Sequence, residues 1–267
     1  MSGFSAGIRT IFAYGFSTVY ARENTEEMLP LDFAIEGYKI AVEDAKEARR
    51  NMVMLNDDTA EEQEEASGSI DAATPEPTEK EMEFRQCIDI FLMSALYDRP
   101  VFTPASMTFL PIHGAAAAQP CSSSWNQIKS MYGWDYASDV DVRGRTALHV
   151  LVTSTDRPLF HLNVVTEMIL DINELDPTSA TAFDDSGLIP LHAALTHSAP
   201  YHAIEHLLIC NWSTISMEVD EDCDNVEFRG MLPFQLAAAC DCSIDIVNLL
   251  LRAHPTGVAG ALIRKDR

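Results

Sequence analysis

Apolar residues fall in short clusters at helical spacing, and each cluster follows a shorter one that opens on proline or alanine. Val164, Val165, Met168 and Ile169 form one downstream group. Ile204, Leu207 and Leu208 form the next, and Ile246, Val247, Leu249 and Leu250 a third. Steps of three and four residues put each group on one helix face. The shorter clusters read Pro190-Leu191-His192-Ala193-Ala194 and Pro233-Phe234-Gln235-Leu236-Ala237-Ala238-Ala239. Proline at the first helical position loses nothing, because the N–H it lacks would be unpaired there, and alanines let neighbouring helices approach closely. The pattern predicts helix, turn, helix in each unit.

The opening phrase occurs five times: Leu29-Pro30-Leu31-Asp32-Phe33-Ala34, Leu110-Pro111-Ile112-His113-Gly114-Ala115, Thr146-Ala147-Leu148-His149-Val150-Leu151, Ile189-Pro190-Leu191-His192-Ala193-Ala194 and Leu232-Pro233-Phe234-Gln235-Leu236-Ala237. Aligned on Leu31, Ile112, Leu148, Leu191 and Phe234, the intervals are 81, 36, 43 and 43 residues. A period of a few tens of residues marks units too small to bury their own apolar face, which must stack on neighbours. Gly144, Gly187 and Gly230 each stand three positions before the proline or alanine, where glycine supplies a positive-φ turn.

These phrases resemble the Thr-Pro-Leu-His-x-Ala signature of the ankyrin-repeat family, and the likeness runs over almost the whole chain. It implies an all-α solenoid of helix-turn-helix units over residues 1–267, with a partial unit at 1–24. Repeats fall near 25–106, 107–142, 143–184, 185–227 and 228–267. The resemblance makes His113, His149 and His192 structural groups that bond turn backbone. Its other motif positions here are Pro30, Leu31, Pro111, Ile112, Gly144, Thr146, Leu148, Gly187, Pro190, Leu191, Gly230, Pro233 and Phe234. The family's threonine caps the helix, yet four of the five units carry leucine or isoleucine there, a loss of about 1 kcal/mol each.

The 81-residue interval is read as one repeat whose two helices are separated by an insertion at 56–81. Residues 57–83 hold eleven acids against one lysine and hardly an apolar side chain, too little to offset the entropy of ordering, so a disordered segment is expected. Thr59, Ser67, Ser69, Thr74 and Thr78 there sit in an acidic context suited to acidophilic kinases.

Charge narrows the partners. The net charge of −23 opposes phosphate backbones and anionic bilayers, so neither nucleic acid nor membrane is expected. No run of eighteen apolar residues occurs, and the N-terminal stretch, interrupted by Arg9, reads as helix rather than signal peptide. Six cysteines without framework spacing suit reduced thiols, hence an intracellular protein, cytoplasmic or nuclear.

By the resemblance, function is recognition of a protein partner through a concave face of inner helices and the loops before them, and the acidic surface predicts that this partner is basic. The residues so presented are Arg143, Thr153, Asp184, Asp185, Ser186, Thr196, His197, Asp220, Glu221, Asp222, Asp224 and Asp241. No cofactor is expected and no nucleophile elbow or phosphate-binding loop occurs, so the chain is not read as an enzyme. One alternative is a metal or redox enzyme on His192, His202 and His206, or on Cys240 and Cys242, although the single residue between these cysteines is the wrong spacing. The other is a section of a larger array, or a chain that self-associates through uncapped ends. Ile8, Ile11 and Phe12, and Val258, Leu262 and Ile263, are not polar caps.

Overall fold

The chain is all-helical in a computed structural model that describes residues 30–57, 77–97, 108–154 and 162–255. The partial unit at 1–24, the centre of the acidic insertion at 58–76 and the apolar ends (Ile8, Ile11, Phe12, Val258, Leu262, Ile263) lie outside the described residues, as do four of the five proposed phosphate acceptors. Two units divide the chain, residues 1–91 and 92–267.

In the first unit, α1 (Pro30–Asp57) runs unbroken for 28 residues. Leu31, Ala34, Ile35, Ala41 and Ala45 bury one stripe, and exposed Glu36/Lys39 and Glu43/Lys46 pairs mark the opposite side. The ring of Phe84, on α2 (Glu79–Tyr97), fills the space where Gly37 has no side chain. The start of α2 is fixed by a reciprocal cap: the Thr78 backbone N–H donates to the Glu81 carboxylate, and the Glu81 N–H donates to the Thr78 hydroxyl at 3.3 Å. Helix therefore occupies residues 56–57 and 79–81, so an insertion drawn from 56 to 81 is too long at both ends. The Thr-x-x-Glu spacing that ends it on the C-terminal side is visible in the sequence.

Among the described residues the second unit holds four helix pairs: α3 (Pro111–Ala118) with α4 (Ser122–Tyr136), α5 (Ala147–Thr153) with α6 (Leu162–Leu175), α7 (Pro190–Thr196) with α8 (Tyr201–Cys210), and α9 (Pro233–Ala239) with α10 (Ile244–Ala253). A 3-10 turn, Trp212–Ser216, follows α8 and buries Thr214 and Ile215. Leading helices pack in the order α3, α5, α7, α9, and trailing helices in the order α4, α6, α8, α10.

Three of the leading helices are buried nearly all round, at every residue of α3, residues 147–152 of α5 and residues 190–195 of α7, whereas α9 buries Pro233, Leu236 and Ala237. Small residues make that possible. A Cβ at Gly114 would strike the carbonyl of Leu92 near the end of α2, so only glycine allows that backbone approach. Trailing helices are half-buried and amphipathic, with Val164, Val165, Met168 and Ile169, then Ile204, Leu207 and Leu208, turned inward as their spacing predicts.

Two polar links tie α4 to α6. The carboxylate of Asp171 accepts from the fully buried Trp125 indole N–H at 2.7 Å and from the Lys129 ammonium at 2.7 Å, and Asn126 reaches Glu167 at 3.2 Å. Helix ends repeat too. Ser198 after α7 and Asp241 after α9 take φ of 54° and 53°, and the next N–H turns back five residues, Ala199 to Ala194 at 2.8 Å and Cys242 to Ala237 at 3.0 Å. This is the left-handed Schellman end, which satisfies a carbonyl left over by the helix.

Candidate binding surface

The loops before α5 and α7 are the same object twice. Each begins on an aspartate, Asp141 or Asp184, three residues before a glycine. The Asp141 Oδ1 accepts the N–H of Arg143 at 2.9 Å and of Arg145 at 3.0 Å, while the Asp184 Oδ1 accepts those of Ser186 and Leu188, both at 3.0 Å. Gly144 and Gly187 close the turns at φ of 68° and 75°, each donating its N–H to the aspartate carbonyl. The aspartate side chain thus replaces backbone partners that the tight turn cannot supply. Burial works against the Asp141 charge, but the Arg145 guanidinium at 2.7 Å and the two N–H groups outweigh it and lower its pKa.

A third loop varies the design. Residues 220–223 repeat the turn, with the Asp222 N–H on the Asp220 Oδ1 at 2.8 Å and buried Cys223 where glycine stood. Seven further residues follow before Val219 N–H meets the Met231 carbonyl at 2.9 Å. The turn beside Gly187 is therefore at 220–223, although Gly230, at φ 67°, is its counterpart by sequence.

Backbone bonds join the loops into a row: Asp185 N–H to the Arg143 carbonyl at 2.9 Å, and Asp220 N–H to the Gly187 carbonyl at 3.2 Å. Buried histidines brace the row from beneath. The Nε2–H of His113 donates to the Arg145 carbonyl at 2.9 Å, that of His149 to Leu188 at 2.9 Å and that of His192 to Met217 at 3.1 Å. Each bond runs from one leading helix to the loop segment of the next unit. Since a carbonyl only accepts, each ring carries its proton on Nε2 and offers a lone pair at Nδ1. Burial lowers all three pKa values, that of His192 to about 4, so the rings are neutral near pH 7.

The residues named from the sequence divide accordingly. Arg143, Asp185, Glu221, Asp222 and Asp224 are exposed on the loops, with Ser186 half-buried beside them. Asp184 and Asp220 face the same region, but their carboxylates are engaged by their own turns. Thr153 and Thr196 spend their hydroxyls on the carbonyls of His149 and Ala193, at 2.8 and 3.0 Å, and the exposed His197 ring also bonds Ala193 at 3.0 Å. Asp241 is the left-handed residue that ends α9, away from the loop row in sequence. These four positions are helix-end groups, because a short helix followed by a tight turn leaves carbonyls that nearby side chains reach first. Sequence reasoning missed Val142, which stands 76% exposed at the tip beside Arg143. Its signal was the Asp-x-x-Gly spacing, which places positions two and three of each turn outward.

Among the described residues no three His, Cys, Asp or Glu side chains converge as donors. His192 is buried on Met217, while His206 gives its Nδ1–H to the His202 carbonyl at 2.7 Å. Burial, with the charge of Asp241, pushes the Cys240 thiol up, and burial does the same for Cys242, which bonds the Leu195 carbonyl. No described helix is long and apolar enough to cross a membrane. Compared with known proteins, the chain matches no protein-family model and no curated protein.

Proposed function

We propose that the second unit is an ankyrin-like repeat stack whose biochemical role is to recognise a protein partner through its row of loop tips. The observation that carries this reading is the division of labour within the loops. Asp141, Asp184 and the glycines hold the turns, whereas Val142, Arg143, Asp185, Glu221 and Asp222 are exposed and their side chains make none of the hydrogen bonds that close the turns. Rigid backbone with uncommitted side chains is what a recognition surface requires, since little entropy is lost on binding.

The row is graded: Val142 and Arg143 at one end, then Asp185, then Glu221 and Asp222. Its partner carries basic side chains opposite the last two loops and an apolar or acidic group opposite the first. Affinity capture from native lysate at low and high salt tests the reading. A partner that is retained by the full chain, released by salt and lost with Asp185→Lys/Glu221→Lys/Asp222→Lys supports it. Capture unaffected by that variant counts against it.

A further inference from the structure

A fourth turn of the same build lies in the loop before α9. The Glu227 N–H donates to the Asn225 Oδ1 at 3.1 Å, and the Phe228 N–H to the Asn225 carbonyl at 3.0 Å. Asp141 receives the same two bonds, from Arg143 at 2.9 Å and from Gly144 at 3.0 Å. Among the described residues the row therefore carries four such turns, at 141–144, 184–187, 220–223 and 225–228, each opening on a side chain that accepts the N–H two residues on. The last of them sits on the far arm of its loop. There the Gly230 N–H reaches the Val219 carbonyl at 3.0 Å, while the near arm is bonded back to the unit of α7 at Met217 and Asp220.

The second residue of each turn stands at its tip. In order these residues are Val142, Asp185, Glu221 and Val226, so two acids are bracketed by valines. Val142 is 76% exposed and Val226 68%. A turn gains nothing from valine, whose branched side chain suits a pleated sheet and whose apolar surface is here left in water. The apolar end is broader at the first two turns. Val140 and Phe183, each just before its turn's aspartate, are 51% and 40% exposed, whereas Val219 at the same position is 1% exposed.

We propose that the row docks a segment of a partner protein with basic side chains at its centre and apolar side chains at both ends. The inference rests on the partner-binding reading and names the chemistry of what that surface takes. Charge selects the centre: Asp185, Glu221 and Asp222 are exposed in a chain of net charge −23, so they attract a cationic segment and repel a second copy of this row. Exposed Arg143 beside Val142 disfavours a cation at the first turn, which leaves apolar contact for that end. Leading helices pack at about 8–10 Å, so three successive loops span roughly 20 Å, the reach of about six extended residues.

Random twelve-residue peptides displayed on phage test this, selected in parallel on the full chain, on Val142→Ser/Val226→Ser and on Asp185→Lys/Glu221→Lys/Asp222→Lys. Neither valine side chain is used by its turn, so the serine variant should melt with the natural chain. The natural chain should enrich peptides with lysine or arginine at the centre and apolar residues toward both ends. The serine variant should keep the basic centre and lose at least about threefold of the apolar enrichment. Ends without apolar enrichment, apolar enrichment that survives the loss of both valines, or no selected peptide at all would overturn the proposal. A charge variant that selects the same peptides as the natural chain would also sink the partner-binding reading. A selection that shifts with the charge variant but not with the serine variant removes this proposal alone.

Discussion

Thr146 and His149 are joined twice: the Nδ1 of His149 accepts the Thr146 backbone N–H at 3.2 Å and lies 2.9 Å from the Thr146 hydroxyl. His113 and His192, in the units where Leu110 and Ile189 replace the threonine, have an Nδ1 that is buried and has no partner among the described residues. The ring that follows a threonine is thus satisfied on both sides and the two that follow leucine or isoleucine are not, and the energetic consequence can be measured.

Thr146→Val should destabilise the second unit by about 1–2 kcal/mol, by removing the hydroxyl partner of a buried nitrogen. Thr146→Ser should recover most of that. Urea unfolding of the two variants, compared at constant m-value, gives the answer.

Acid should loosen the stack before it touches the turns. The three histidines have folded pKa values lowered from 6.5 by burial, so the unfolded chain binds protons first and stability falls as pH drops below 6.5. For His192 the loss is complete only near its folded value of about 4, and amounts to roughly 3 kcal/mol. The Asp141 contribution is present above 3.8 and is lost only below that, as its own lowered folded pKa is crossed. His192→Gln, the residue found at the equivalent place in the last unit, should be less stable at pH 7 but flatten the slope between pH 6.5 and 4. Unfolding free energies measured at several pH values in that window check the sign.

Gly187→Ala should cost more than Gly230→Ala. Both positions lie at positive φ, a penalty of roughly 1–2 kcal/mol for alanine. At Gly187 the added carbon also meets Asp220 at 2.8 Å and the Cys223 backbone at 3.0 Å, while at Gly230 the space is open. Thermal melts that rank the two variants the other way would show that the loops are not in contact.

Ser198→Gly and Asp241→Gly should each raise stability, by about 0.5–1 kcal/mol, since both residues hold the left-handed conformation that glycine adopts without steric cost. Equilibrium denaturation of each single variant suffices.

Helix positions and the pairing of helices were legible in the sequence, because apolar spacing reports directly which side of a helix is buried. Proline at the start of α7 and α9 and glycine before them marked the boundaries. Less legible were the identities of outward groups. Asp184 and Asp241 look like surface charges by composition, yet one completes a turn and the other ends a helix. Side chains of aspartate and threonine bond whichever backbone group is nearest, and that depends on turn geometry that no periodicity encodes. Asp171 was invisible for a different reason: its partners Trp125 and Lys129 lie more than forty residues away, on another helix.

The most direct measurement is the affinity of a captured partner for three proteins: the natural chain, the Asp185→Lys/Glu221→Lys/Asp222→Lys variant, and a charge-matched Glu36→Lys/Asp44→Lys/Glu47→Lys variant on the exposed side of α1. Loop-row recognition predicts that the first variant weakens binding by roughly tenfold or more, while the second stays within about twofold. Equal losses in both would mean that net charge, not the loop row, draws the partner, and would contradict the account.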